Sequence, residues 1–243
     1  MHLGLKVATA YSLPSFSLGF CGPQDKKSRK TLSDYASGKP ASEKAIRKIF
    51  EKFEAAYSYY KLIAKKNNIE DPFDEKVLKA FWVGNRLLEQ VSREDLQKLI
   101  LTNFCRPGLL SKTEARIKAK KVPKGATAHH SFHVLILGAV AKRVKLAGSL
   151  FDLCRIGWGK VKKLEKNSLI VKYKPLLTKN EIKLGNDIEK KIHRNKHILP
   201  KIRIGDYISF HWGEACGVLN KSSLKNLEFY TQKTIGLING QNR

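Results

Sequence analysis

Histidine and cysteine are the side chains whose placement in this sequence could do chemistry. His129, His130 and His133 hold three of the seven histidines within five positions. On a helix either 129/133 or 130/133 would share a face at metal-ligand spacing, as a metal or acid-base patch. On a strand, 129 and 133 would share a face and His130 would point away. The bland alternative is structural, with the imidazoles hydrogen-bonding a loop-to-core transition after Pro123 and Gly125. What favours a site is convergence, because Cys154 follows the cluster by only about twenty residues. The four cysteines, at 21, 105, 154 and 216, stand alone with no C-x-x-C and no dense framework. Isolated cysteines of this kind read as reduced thiols in a cytoplasmic chain, most of them small buried hydrophobes. Cys21 and Cys216 are carried as further candidates for ligands or a polar site.

The common catalytic signatures are missing. There is no G-x-G-x-x-G, Walker loop, H-E-x-x-H or G-x-S-x-G, so dinucleotide binding, P-loop hydrolysis, zincin and α/β-hydrolase chemistry have no support. The acidic group Glu70, Asp71, Asp74 and Glu75 sits where a helix begins, and acids there complement the helix dipole. No catalytic residue is assigned, and an enzyme built on the histidine cluster is the weakest of the readings.

The elements that must carry these residues fall into two kinds. Residues 1–41, rich in Ser, Gly and Pro with the basic cluster Lys26, Lys27, Arg29 and Lys30, read as an irregular lead segment. From Ser42 the apolar positions Ile46, Ile49, Phe50, Phe53, Ala56, Tyr57, Tyr60 and Ile63 keep helical spacing up to Asn67. Further helices start near Asp74, at Ser92 with Asp95, and at Ser111 with Glu114, the last an S-x-x-E capping box. The eight-residue apolar run Val134–Ala141 fits a buried strand or a buried helix equally. After Cys154 the pattern changes to alternation: Arg155–Lys162 and Ser168–Lys174 read as strands joined at Glu165-Lys-Asn167, and Tyr207–Trp212 as a third. Leu176–Lys201 reads as a long basic loop, and a final amphipathic helix follows Ser222 or Ser223. The expectation is an α+β protein: a mainly helical domain over 1–150, then 151–243 as a small OB-like β-barrel with a C-terminal helix, both parts sharing one fold unit.

Composition bounds the partners. With 42% hydrophobic and 9% aromatic residues, the 243-residue chain can bury a core. Its longest apolar run is eight residues, too short to span a bilayer, and no signal-peptide pattern is found, so the reading is a cytoplasmic protein without a membrane segment. The net charge of +26 suggests an acidic partner. Yet 36 of the 47 basic residues are lysine and only 11 arginine, which suits a solvated surface as well as it suits phosphate recognition. Nucleic-acid binding is therefore possible but not favoured. Its form would be a basic OB-like barrel with Trp158, Tyr173 and Trp212 as stacking aromatics.

Two resemblances sharpen this. Cys154-Arg-Ile-Gly-Trp-Gly-Lys-Val161 and Pro200-Lys-Ile-Arg-Ile-Gly-Asp-Tyr-Ile-Ser-Phe-His-Trp-Gly-Glu-Ala215 resemble the two hallmarks of the small nickel–iron hydrogenase maturation chaperones of the HypC/HupF type. Cys154, Gly159, Lys160 and Val161 match the first in register, with Trp158 in place of a proline; Gly205, Asp206, Tyr207, His211, Gly213 and Ala215 match the second. The resemblance covers about residues 154–240. It implies an accessory, chaperone-like protein for hydrogenase-type metallocluster assembly, holding iron with diatomic ligands and partnered by a maturation scaffold or hydrogenase precursor. Cys154 would be the iron thiolate and His211 its neighbour, the thiolate favoured by Arg155 and the basic barrel surface, since a thiolate is a soft ligand that an imidazole can join or orient. Two departures stand out: Cys154 lies inside the chain rather than at a processed N-terminus, and the loop between the strands is longer. The whole chain also resembles a poorly characterised bacterial family, through Phe20–Pro23, Gly84–Leu88, His129–Val134, Cys154–Gly159 and Gly205–Trp212; that family names no reaction.

Overall fold

A computed structural model describes residues 2–241. Its order is helices, then strands, then a C-terminal helix, the α+β class expected. The largest departure comes first in the chain. Residues 1–41 are not irregular: α1 (Leu3–Ser17) and α2 (Lys26–Ala36) are helices. Helix α1 has no polar face, because Ala8, Ala10, Tyr11, Ser12, Pro14, Ser15 and Phe16 are buried on several sides at once. A helix buried over most of its surface carries no amphipathic signature, and serine, proline and glycine then look like loop composition. Their use is close approach: a Cβ added to Gly4 would lie 1.7 Å from the Phe73 carbonyl oxygen.

The long helix expected from Ser42 breaks in two, α3 (Glu43–Phe50) and α4 (Ala56–Lys66), with Phe53 buried in the corner between them. Helix α5 (Glu75–Trp82) starts where Asp74 accepts the Lys76 N–H. The acidic group beside it is structural, since Asp71 takes a two-pronged hydrogen bond from Arg47 at 2.8 and 2.9 Å. Helices α6 (Arg93–Thr102) and α7 (Lys112–Lys120) open with capping boxes at Ser92/Asp95 and Ser111/Glu114. The run after His129 is helical for one short turn, α8 (His130–Phe132), and continues as a wide π turn over His133–Leu137. Helix α9 (Leu150–Cys154) then delivers the chain to the strands.

Strands β1 (Gly157–Leu164), β2 (Ser168–Tyr173) and β6 (Tyr207–His211) lie where alternation places them. The expected loop at 176–201 instead contains a small ribbon, β3 (Leu176–Leu177) with β4 (Lys183–Leu184), and a full strand, β5 (Ile188–His193). Only Ile192 of β5 is buried, and so little apolar alternation leaves a strand that reads as a polar loop. With β7 (Glu214–Leu219), hydrogen-bonded neighbours run β1-β2-β5-β7-β6 and back to β1, closing the sheet around Val161, Leu169, Val171, Ile192, Ile208 and Phe210. Helix α10 (Lys221–Gln241) returns to the helical side, where Leu227 and Tyr230 join a core running from Leu5 to Leu219.

Asp152 and Arg155 fasten α9 to the barrel. Arg155 is 1% exposed, and its guanidinium meets Asp152 at 2.9 to 3.0 Å, donates to the Lys174 carbonyl at 2.6 Å and covers the Trp158 ring at 5.1 Å. Asp152 also accepts the Tyr173 hydroxyl at 3.0 Å and the Leu176 N–H at 2.8 Å. The expected role of Arg155, a positive charge favouring a thiolate at Cys154, is thus replaced by a buried ion pair. Breaking such a pair from one side strands a buried charge. Asp152→Ala should therefore lower unfolding stability by about 3 to 5 kcal/mol in denaturant titrations; a loss near that of an exposed ion pair would show that the network holds little.

Candidate functional site

A chamber of about 60 Å³, room for roughly four waters, lies between α1, the 20–22 turn, α5, the His130–His133 turn, the end of α9 and the tip of the β6–β7 hairpin. Cys21, His130, His133, Cys154, His211 and Trp212 all line it. Four of the five segments that carry the whole-chain resemblance therefore meet at one place. The fifth, Gly84–Leu88, holds α10: Tyr230 packs where a Cβ on Gly84 would stand and donates its hydroxyl to the Asn85 carbonyl at 3.0 Å.

Each lining group has an identifiable support. His211 ends β6 and is 2% exposed. Its Nδ1 lies 2.7 Å from the Tyr11 carbonyl oxygen; a carbonyl only accepts, so Nδ1 carries the proton and Nε2 is left as a bare lone pair. Trp212 follows at φ 49° and Gly213 at φ 79°, the two central residues of a hairpin loop closed by the His211–Glu214 pair. Tight two-residue turns require positive φ, and tryptophan has no intrinsic preference for it. Trp212 is fixed there by its backbone N–H donating to the Leu153 carbonyl at 2.9 Å and by its ring against Phe20, 4.8 Å between centroids. His130 packs its ring 4.6 Å from Trp82 and 5.2 Å from His211.

Polar atoms face this chamber without close partners. Ser12 Oγ, His130 Nδ1, His211 Nε2 and Trp212 Nε1 are all buried and make no hydrogen bond of ordinary geometry; Ser12 faces the Tyr60 hydroxyl, His211 the Cys154 backbone and the Trp212 indole the Cys154 sulfur in looser contacts. Buried polar groups are nearly always paired, so four gathered around one small space are the donors and acceptors available to whatever occupies it, water included. The chamber is also kept neutral. Burial is the leading cause of every imidazole shift: His133 and His211 are lowered to about 4, and His130 well below its usual range, with the neighbouring histidines adding to the effect. Burial likewise pushes the Cys21 and Cys154 thiols up, so both are protonated when nothing is bound. For Cys154 the neighbouring Cys21 adds to the rise and the Trp212 indole opposes it.

The remaining candidates lie elsewhere. His129 caps the turn, its Nδ1 accepting the Ser131 N–H at 3.2 Å while its ring stacks 5.6 Å from Tyr230, which is the structural use of a histidine. Cys216 is buried on β7, faces the Glu214 carbonyl at 3.4 Å and lines a different cleft beside Tyr11. The three aromatics considered for base stacking share no open face. Tyr173 is buried with its hydroxyl on Asp152, Trp158 lies beneath Arg155, and Trp212 turns into the chamber. Sequence reasoning missed Ser12 and Ser15, which line the chamber from α1, because that helix had no periodicity to reveal it.

Neutral buried imidazoles set a pH dependence. In the unfolded chain these rings titrate near 6.5; folded, His129 does so at about 3 and His133 and His211 at about 4. Between those values the unfolded state binds more protons, so stability is complete above pH ~6.5 and falls as pH drops toward 4. Each ring contributes up to about 1.4 kcal/mol per pH unit. Denaturant midpoints from pH 7.5 to 4.5 should decline accordingly, and His211→Gln should make the decline shallower; a flat profile would mean the rings are open to protons.

No curated protein and no solved structure matches the chain. A family model matches residues 1–243, the segments that build the chamber included, and by that match the chain belongs to the family of unknown function DUF6390.

Proposed function

We propose that this protein is a non-catalytic binding protein, an accessory to metallocentre assembly of the hydrogenase type, whose chamber receives a small metal centre between Cys154 and His211. One observation carries the reading: four buried polar atoms without a hydrogen bond of ordinary geometry surround a small space that also holds two thiols. The donor chemistry fits, since thiol sulfur and a bare imidazole nitrogen are soft to borderline ligands suited to iron and its neighbours. Among the described residues no group of three or more His, Cys, Asp and Glu side chains is placed to hold a metal ion. That argues against an ion ligated by protein atoms alone. It suits a centre that brings most of its ligands and asks the protein for one or two, as iron with diatomic ligands would.

Each residue then has a task. Cys154 would supply the sulfur, its thiol proton released to solvent as the cation takes the sulfur lone pair. His211, held by the Tyr11 carbonyl, would present Nε2 as a ligand or orienting group, and Trp212 Nε1 and Ser12 Oγ would hydrogen-bond the non-protein ligands. The OB-like description of the barrel, the HypC/HupF likeness, and a scaffold or hydrogenase precursor as protein partner belong to this reading. So does placement in the cytoplasm; among the described residues no helix is long and apolar enough to cross a membrane.

Protein purified without oxygen should carry iron, with infrared bands in the cyanide and carbonyl stretching region. Metal-free protein should bind Co²⁺ with a sulfur-to-metal charge-transfer absorption. Cys154→Ala should abolish both while leaving the unfolding transition close to that of the parent. His211→Ala should weaken Co²⁺ binding about 10- to 100-fold, the usual loss for a supporting group, and Cys216→Ala should change nothing. Anaerobically purified protein without iron or those infrared bands, together with no charge-transfer band from Co²⁺, would refute the reading.

A further inference from the structure

The chamber has a wall of a different kind from the rest. Residues 139–149 are neither helix nor strand, yet Ala139, Val140, Ala141, Val144 and Leu146 line the chamber from this segment. Val140 is anchored in the main core, but Lys142, Arg143, Lys145, Ala147 and Gly148 are exposed. Two left-handed residues bracket the outer part, Lys142 at φ 55° and Gly148 at φ 54°. The lysine is in a conformation disfavoured for its type, while a Cβ on Gly148 would meet nothing within 4 Å. Such residues absorb the backbone rotation when a segment swings.

Polar ties hold this strap shut, and they converge opposite its midpoint. Arg143 donates to the Gly22 carbonyl at 3.0 Å and pairs with the Glu54 carboxylate, whose other oxygen accepts the Gly22 N–H at 3.2 Å. Gly22 and Glu54 themselves line the chamber, and Gly22 follows Cys21. The pair thus clips the strap to the turn that carries one of the two thiols. Lys142 adds an exposed tie to Glu114 at 2.8 Å. A segment with few buried apolar side chains and surface ion pairs opens at a small fraction of the cost of global unfolding.

We propose that residues 142–148 are a gate over the chamber, latched by Arg143 on Glu54 and Gly22, and that its opening is the route by which a ligand reaches Cys21 and Cys154. The gate rests on the chamber's geometry and holds whatever the chamber receives. Its test reads the thiols directly, so it stands or falls apart from the metal reading.

The full-length, reduced, metal-free protein is treated with a maleimide in excess, and modification of each cysteine is followed by mass spectrometry of peptides. Cys105, half-buried outside the chamber, and Cys216, buried on β7, serve as internal references. Arg143→Gln should speed modification of Cys21 and Cys154 together by about tenfold, the worth of a charge-assisted hydrogen bond. Glu54→Gln should do the same, and the rates at Cys105 and Cys216 should not move. Raising salt from 0.05 to 0.5 M (on the order of a threefold fall in screening length) should accelerate the parent more than Arg143→Gln, which keeps only the exposed Lys142–Glu114 tie. Equal acceleration at all four cysteines would mean general loosening and would overturn the gate. So would unchanged rates at Cys21 and Cys154 in both variants.

Discussion

The structure depends on one buried helix reaching the barrel through one residue. Tyr11 on α1 stacks its ring on Trp82 of α5, 5.4 Å between centroids, places its hydroxyl 2.7 Å from Ser209 Oγ on β6, and offers its carbonyl to His211. Its side chain ties the helical core to the sheet while its backbone fixes the tautomer of His211, one of the rings that line the chamber. Burial holds the phenol well above its ordinary range, so it stays neutral and serves as a fixed hydrogen-bonding group rather than a titrating one. The two halves of the chain share this joint, and the chamber lies beside it. A site placed on such a seam inherits the rigidity of both partners, which is what a preorganised set of donors requires.

A second constraint acts on charge. The chain carries a net +26, yet the chamber wall holds neutral imidazoles, protonated thiols, two serines and an indole, and the carboxylate that lines it, Glu54, is compensated by Arg143. Excess lysine stays on the outer surface, as on the outer faces of β1 and β2, where Lys160 and Lys172 stand directly opposite one another. Like charges face each other there at modest cost because water screens them. In the chamber an uncompensated charge would cost several kcal/mol. A ligand entering it must be neutral overall or displace protons as it binds.

Legibility from sequence followed amphipathicity. The capping boxes at Ser92 and Ser111 and the strands β1, β2 and β6 could be read because caps and period-two alternation are local signals. Helix α1 and strand β5 could not, for opposite reasons: α1 is buried over most of its surface, with an apolar Leu3 among its few exposed residues, and β5 over almost none, so neither shows contrast between faces. The candidate site was legible in part. Cys154, His211, His130, His133 and Cys21 do line one chamber, although only Cys154 and His211 had been paired, and by resemblance rather than by pattern. Cys216 and His129 carry the same chemistry and lie outside it, because residue type does not encode which side of a strand or turn a group occupies.

Trp212 joins these threads. A two-residue hairpin loop that demands positive φ is ordinarily filled by asparagine and glycine, which would close β6 on β7 with less strain. Tryptophan at that position costs on the order of 1 kcal/mol or more in backbone conformation, and its indole N–H, buried without a hydrogen bond of ordinary geometry, costs more. Packing on Phe20 and the hydrogen bond to Leu153 offset part of this. Neither contact requires an indole nitrogen, since phenylalanine would fill the same space without the loosely paired donor. A residue that strains its turn and sets an indole N–H in the chamber wall, loosely facing the Cys154 sulfur, makes the hairpin tip the part of the barrel whose chemistry meets the thiol.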